Sequence, residues 1–107
     1  MKVSFHPEFP QDVLRHAGQY ATISSRLESR FRNEVDEAIA RIKEQPTAAG
    51  HFLTTGSKIV GDVRRRNLVS FPFFVLYGLH VDLLVFGAII PSATDPLTWL
   101  ERFTRPD

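Results

Sequence analysis

Residues 61–79 have the sequence GDVRRRNLVSFPFFVLYGL, which places three consecutive arginines beside a run rich in Val, Leu, Phe and Tyr. This stretch contains two strand-like runs, residues 62–69 before Pro72 and residues 73–79 after it. A third run, DLLVFGAII at residues 82–90, follows a short turn. Together the three runs predict an antiparallel meander, and the rest of the chain must pack against it.

The three arginines raise the question of what lies on each face of the first strand. Successive residues of a strand point to opposite faces, so Arg64 and Arg66 share one face and Arg65 lies on the other. One interpretation is a solvated charge cluster that protects an edge strand from unwanted pairing. The other is that Arg64 and Arg66 form an exposed basic face for a partner, while Arg65 pairs with an acidic residue of a long helix upstream.

Two helices are predicted ahead of the meander. The first starts near Pro10 and Gln11, because proline suits the first helical turn, and Gly18 weakens it. Its apolar residues recur at helical spacing on one face: Val13, Ala17, Tyr20 and Ala21.

The second helix is the long one, and its pattern is the most regular in the sequence. It begins at Ser24 or Ser25, either of which is a good N-cap, and it ends before Pro46. Its apolar stripe consists of Leu27, Phe31, Val35, Ala38, Ile39 and Ile42. Charged residues fill the other faces, and pairs such as Glu28 with Arg32 have the spacing of ion pairs on a solvated helix surface.

The two ends of the chain complete the predicted fold. Residues 2–5 alternate as a short first strand, and residues 47–62 form a Gly/Thr/Ser-containing connection. A last short helix starts with Asp95 as N-cap and Pro96 in its first turn. It packs through Leu97, Leu100 and Phe103, or through Trp99 and Phe103. The fold class is therefore α+β: a small antiparallel sheet packed on an N-terminal two-helix hairpin, in the order β-α-α-β-β-β-α.

Composition limits the functions that this chain can have. Its 107 residues, 43% hydrophobic with nine phenylalanines, suit a single domain spanning residues 1–107. A net charge of +1 means that attraction to nucleic acid would depend on local clusters of basic residues. With no cysteine, no signal-peptide pattern and no apolar run long enough to span a membrane, we expect a cytoplasmic protein.

No pattern of residues indicates a catalytic, metal or cofactor site. The four histidines lie in different predicted elements without the close spacing of metal ligands, and the glycines lack the spacing of a phosphate-binding loop. We therefore expect no catalytic residue, no metal and no cofactor. The residue types that remain unusual are those enriched at protein interfaces: the arginine triplet beside a Phe-rich strand, and Trp99, Arg102, Phe103 and Arg105.

The order of elements and several local strings resemble the RelE/ParE superfamily of toxins from bacterial toxin–antitoxin modules. The resemblance runs nearly end to end. The similar strings are VSFHPEF at 3–9, NEVDEAIARIKEQP at 33–46, VRRRNLVSFPFFVLY at 63–77 and DPLTWLERF at 95–103. The resemblance implies a cognate antitoxin that wraps the toxin, and one of two activities: RelE-like cleavage of mRNA in the ribosome, or ParE-like poisoning of DNA gyrase.

Residues discriminate between these two branches. RelE-like cleavage needs several basic groups to neutralise the developing phosphate charge. Here Phe74 stands where such a basic residue is expected, and residues 91–94 (PSAT) replace a basic pair. The sequence therefore favours a ParE-like gyrase inhibitor that is not an enzyme, although IIPSATDP also lacks the basic or histidine-containing string common in ParE-like members. The alternatives are a RelE-like endonuclease, or a non-toxic member that only binds antitoxin or regulates an operator.

The resemblance and the interface-type residues together give a predicted partner-binding set, for an antitoxin or for the target. Its members are Arg64, Arg66, Phe74, Tyr77, Trp99, Arg102, Phe103 and Arg105. The partners expected are the antitoxin and DNA gyrase, with no membrane. Both a homodimer and a hetero-oligomer with the antitoxin remain open.

Overall fold

The computed structural model describes residues 1–48, 51–53, 62–95, 99 and 101–104. The elements follow in the order β1 (Lys2–Phe5), α1 (Phe9–Ala21), α2 (Ser25–Glu44), β2 (His51–Leu53), β3 (Asp62–Asn67), β4 (Phe73–His80), β5 (Leu83–Pro91) and α3 (Glu101–Thr104). This order confirms the predicted α+β class, and it contains one strand more than the sequence indicated.

The sheet has five strands in the order β1-β5-β4-β3-β2. The meander is confirmed, since β3, β4 and β5 pair antiparallel. The expectation of a purely antiparallel sheet is wrong, because β1 pairs parallel with β5, with Lys2 opposite Leu83 and Phe5 opposite Phe86. Parallel neighbours need a long connection, and the two helices and the meander supply it. The sheet is therefore mixed.

The extra strand lies in the segment predicted as a connection. His51–Leu53 pairs antiparallel with β3, placing His51 opposite Arg65 and Leu53 opposite Val63. Three residues are too few to give a periodic pattern in the sequence, and the Gly, Ser and Thr residues around them favoured a loop. As a result β3, which one interpretation of the arginine triplet placed at an edge of the sheet, lies between two neighbours.

The long helix forms as predicted. Ser24 is its N-cap, with extended backbone (φ −163°) and a side-chain oxygen that accepts from the Leu27 N–H at 3.0 Å. Phe31, Val35, Ala38 and Ile42 are buried, and Leu27 and Ile39 are partly buried against the same core. On the outer surface Arg32 donates to Glu28 at 3.3 Å, as the spacing indicated.

The first helix buries a different set of residues from the one predicted. Ala17 is buried as expected and Val13 and Tyr20 are half-buried, but Ala21 is exposed. The buried residues of this helix are Phe9, Asp12, His16 and Ala17. The face of α1 against the sheet therefore carries two polar side chains, which apolar periodicity could not identify.

The two faces of the sheet carry separate hydrophobic clusters. The helix-side cluster joins α1 and α2 to one face of β4 and β5, and includes Phe31, Phe73, Val75, Tyr77 and Phe86. The opposite face carries a smaller cluster. Its buried members are Val63, Phe74, Leu76, Ala88, Ile90 and Phe103, with Val85 and Trp99 partly buried against it.

A β-bulge at Gly87 keeps both clusters continuous. Leu76 lies opposite Ala88 but Tyr77 lies opposite Phe86, so Gly87 is the extra residue of β5. Without it, Ala88 and the residues after it would face the wrong side of the sheet. A side chain on residue 87 would displace Phe103, because a Cβ atom there would overlap the tip of the Phe103 ring.

Candidate functional site

An apolar groove runs between α1, α2 and the end of β1. Its volume is about 490 Å³. The side chains that line it are Phe5, Phe9, Pro10, Val13, Leu14, Arg32, Val35, Asp36 and Ile39. Phe9 and Val35 are buried and form its floor, whereas Phe5 and Leu14 are 40% and 52% exposed. A small domain seldom leaves such large apolar side chains grouped in water without a partner.

Aromatic packing fixes the shape of this groove at its β1 end. The Phe5 ring stacks on Phe86 with centroids 4.8 Å apart, and it lies 5.4 Å from the Phe9 ring. The Lys43 ammonium lies 5.9 Å from the Phe5 centroid. Phe5 is therefore held in place by the core while one side of its ring faces the groove, so the wall exists before any partner binds.

The arginine triplet alternates between faces as predicted, but Arg64 and Arg65 make contacts different from those predicted for them. Arg64 faces the helix layer, where its Nε donates to Asp62 at 2.9 Å and its Nη1 donates to the Thr47 carbonyl oxygen at 2.6 Å. Its side chain is only 17% exposed. Because Thr47 follows the C-terminus of α2, Arg64 places a cation at the negative end of the helix dipole. Arg64 therefore stabilises the fold.

Arg65 does not pair with an acidic residue of α2, so that prediction is wrong. It projects from the face opposite the helices, where its guanidinium lies 4.1 Å from the Phe74 ring centroid and donates to Asn67 at 2.9 Å. The alternation along β3 explains the error, since α2 covers only the other face.

Arg66 lies on the same face as Arg64, half-exposed beside the C-terminal half of α2. It lines a polar cavity of about 220 Å³ together with Arg41, Glu44, Gln45 and Ala48. Arg66 therefore lies at a polar cavity on the helix side of the sheet.

Three residues of the predicted partner-binding set lie inside the protein. Phe74 and Tyr77 are 0% exposed and Phe103 is 2% exposed. The Tyr77 hydroxyl donates to the Pro46 carbonyl oxygen at 2.8 Å, and burial raises the pKa of Tyr77 above 10.0. In this conformation these side chains pack the two cores, so a partner could reach them only after a rearrangement.

The remaining predicted residues belong to the C-terminal segment. Arg102 is 9% exposed, and its Nη1 donates to Asp12 at 2.7 Å and to the Gly87 carbonyl oxygen at 2.9 Å. Its guanidinium also lies 4.9 Å from the ring centroid of Trp99, which is partly buried. The predicted residues Arg105, Pro96, Leu97 and Leu100 lie outside the described residues.

Sequence reasoning missed a buried polar cluster centred on Asp12. β1 ends at Phe5, so beyond Phe86 the edge of β5 needs other hydrogen-bond partners. Asp12 accepts from the Ile89 N–H at 3.4 Å, and the His16 Nε2 donates to the Ile89 carbonyl oxygen at 3.1 Å. Burial lowers the pKa of His16 below 6.5, and the hydrogen bond to Ile89 opposes this shift. Asp12 and His16 thus make the hydrogen bonds to the edge of β5 that a longer β1 would have made. The role of this cluster is therefore structural.

One signal in the sequence could have identified this cluster. Asp12 and His16 are four residues apart and lie beside Phe9 and Ala17 on one helix face. Two polar residues inside an apolar stripe must find partners when they are buried. The identity of those partners depends on where β1 ends, which the sequence does not reveal.

These elements define a small mixed sheet with a two-helix hairpin on one face, the architecture expected of the RelE/ParE superfamily. One chain of a solved structure, the chromosomal ParDE TA system from P. aeruginosa, has a similar fold, with a TM-score of 0.59 at 14% sequence identity. The match covers 85% of this chain and 95% of that chain. A scan of family models and a search of curated proteins find no match. The comparison thus supports the fold alone.

In the part of the chain that the structure describes, no helix is long and apolar enough to cross a membrane. Within the same residues, no group of three or more His, Cys, Asp or Glu side chains could hold a metal ion.

Proposed function

We propose that this chain is the toxin of a type II toxin–antitoxin module, and that its antitoxin binds the groove between α1, α2 and β1. The groove carries the proposal, because it is a preformed apolar surface that a small domain would otherwise expose to water. The fold shared with a ParDE chain adds support, as does the resemblance of the sequence to the RelE/ParE superfamily.

The lining of the groove indicates what kind of segment would fit. Buried Phe9 and Val35 offer an apolar floor, and Leu14 and Phe5 offer walls that a partner could cover. Amphipathic helices and extended strands both bind such grooves through a few apolar anchors. Arg32 and Asp36 on the rim would pair with charges that flank those anchors. The proposed occupant is therefore an amphipathic antitoxin tail.

Arg41 and Arg66 would provide a second contact. They share a polar cavity on the other side of α2 from the groove. Guanidinium groups bind carboxylates well, so an acidic stretch of the same tail would fit there. Arg66, a member of the partner-binding set predicted from the sequence, is therefore the contact proposed at this cavity.

The experiment is a binding measurement with the product of the adjacent reading frame, co-expressed and then purified separately. Leu14→Asp should weaken binding about tenfold or more, because it places a charge on an apolar wall. Ile23→Asp is the matched control, since Ile23 is 70% exposed and does not line the groove. If both variants bind as tightly as the original chain, the groove is not the antitoxin site.

For the activity we propose ParE-like inhibition of DNA gyrase. Arg64 and Arg102 are engaged in ion pairs within the fold, which leaves fewer basic groups for the phosphate chemistry of a nuclease. A supercoiling assay with purified gyrase tests this directly. Loss of supercoiling that the antitoxin reverses is the expected result, whereas ribosome-dependent cleavage of a reporter mRNA with unaffected gyrase would contradict the proposal.

A further inference from the structure

The C-terminal helix α3 holds the rest of the protein through two adjacent side chains that point in different directions. Arg102 reaches around the edge of β5 to Asp12 on α1, across 90 residues of sequence. Phe103 lies on the opposite side of the sheet and fills the space above Gly87. We call Trp99 and residues 101–104 the C-terminal clip. Gly87, the bulge residue, takes part in both contacts. Its carbonyl oxygen accepts from Arg102, and its lack of a side chain leaves room for Phe103.

The ion pair between Arg102 and Asp12 can break without leaving the Asp12 carboxylate unpaired. Asp12 is 2% exposed, and an isolated buried carboxylate would be costly. However, Asp12 also accepts from Arg15 at 2.9 Å and from the Ile89 N–H. The Arg15 side chain is 55% exposed and sits one helical turn away. When Arg102 leaves, Asp12 therefore keeps a cation and a backbone donor.

The helix-side core does not include the clip. All of its buried members come from α1, α2, β4, β5 and the β3–β4 loop. α3 itself spans four residues, which is too short for a helix to be stable in water on its own. Its conformation consequently depends on the contacts of Arg102, Phe103 and Trp99, while the main core does not depend on it.

We propose that the C-terminal clip opens as one unit while the helix layer and the five-stranded sheet stay folded. Opening separates Arg102 from Asp12 and Phe103 from Gly87 together. It exposes the part of the opposite-face cluster against which Phe103 and Trp99 pack in the described residues. The clip is thus a cover over that part of the second face. The inference does not depend on the proposed toxin function.

The chain supplies its own reporter of the clip, because Trp99 is its single tryptophan. Far-UV circular dichroism reports mainly α1 and α2, which together contain most of the helical residues. Urea unfolding of the full chain should show Trp99 fluorescence changing at a lower denaturant concentration than the ellipticity. Coincident transitions would show that the clip unfolds only with the whole domain, which would overturn the proposal.

Two glycine-to-alanine variants separate the clip from the main core. Gly87→Ala should raise the open population about 10- to 100-fold, because the added methyl group overlaps Phe103. It should move the Trp99 transition and leave the ellipticity transition in place. Gly18→Ala, where nothing lies within 4 Å of the added methyl group, should move the ellipticity transition alone. If Gly87→Ala moves both transitions equally, the clip is not a separate unit.

Phe103→Ala covers the case in which Gly87→Ala does not fold. It removes the ring without crowding the bulge, so the main core can form normally. The expected result is again a Trp99 transition at lower urea, or a Trp99 that is fully exposed to a soluble quencher before any urea is added. A Trp99 transition that stays with the ellipticity transition would contradict the proposal.

Discussion

The two faces of the sheet are covered in very different ways. The helix-side face is covered by α1 and α2, which have 13 and 20 residues, and its core contains six aromatic rings in contact with one another or with neighbouring strands. In the described residues the opposite face is covered by the four-residue α3 and Trp99. Both clusters are buried, but two long helices pack on one face and a four-residue helix packs on the other, so we expect them to contribute unequally to stability.

The largest expected effect is on the helix-side face. Phe31 is 0% exposed and packs edge-on against Phe71 and Phe73. Phe31→Ala should lower the free energy of unfolding by about 3–5 kcal/mol, because it leaves a cavity that the two helices cannot close. Phe103→Ala, compared by the same circular-dichroism measurement, should cost much less. Equal losses would mean that both faces belong to one cooperative core.

The second-largest effect on stability is expected at Asp12, whose contact with Arg102 links the two faces of the sheet. Asp12→Ala removes the carboxylate that joins α1, β5 and α3, and it leaves Arg102 with the Gly87 carbonyl oxygen, the Trp99 ring and a distant Glu8 at 3.8 Å. The expected loss is about 3 kcal/mol by chemical denaturation. Glu8→Ala is the control, since Glu8 is 65% exposed and should change stability little. A near-neutral Asp12→Ala would mean that the cluster does not hold the clip.

A smaller effect is expected from the arginines of β3, which belong to opposite faces. Arg64→Ala loses hydrogen bonds to Asp62 and to the Thr47 carbonyl oxygen, and should lower stability by about 1–2 kcal/mol. Arg65→Ala loses a contact with the Phe74 ring, and should lower it by about 0.5–1 kcal/mol. The reverse order, measured by thermal unfolding, would favour the roles first predicted from the sequence.

The smallest expected effect is a pH dependence carried by His16. Burial holds its folded pKa below the ordinary value of 6.5, so the unfolded chain binds more protons as the pH falls. Its contribution to stability is fully present above about pH 6.5 and decreases as the pH falls towards the folded pKa. His16→Gln should reduce this slope, while His80→Gln, at an exposed position, should not. Equal slopes in all three chains would mean that His16 titrates normally.

Much of the helix-side face could be predicted from the sequence. The stripe from Leu27 to Ile42 repeats at helical spacing, Ser24 marks the helix start, and β3, β4 and β5 are separated by clear turns. These features are local, so they are visible in the order of residues. The α+β class followed from them directly.

The errors concern contacts between residues far apart in the sequence. Arg64 binds the carbonyl oxygen of Thr47, and Arg102 binds Asp12, and no local pattern specifies either partner. The faces of β3 were assigned correctly by alternation, but which face the helices cover was not known. Phe74, Tyr77 and Phe103 have the composition of an interface and lie in the core instead. The groove combines residues from β1, α1 and α2, so only the fold brings it together.

The parallel pairing of β1 with β5 has a consequence for the order of folding. Lys2 and Phe5 meet their partners only at residues 83 and 86. During synthesis, the first strand therefore cannot pair until residues 83–86 have left the ribosome. Contacts between distant parts of a chain are slow to form, because the entropy of closing the loop opposes them. Once β5 has formed, its edge stays exposed until β1 pairs with it.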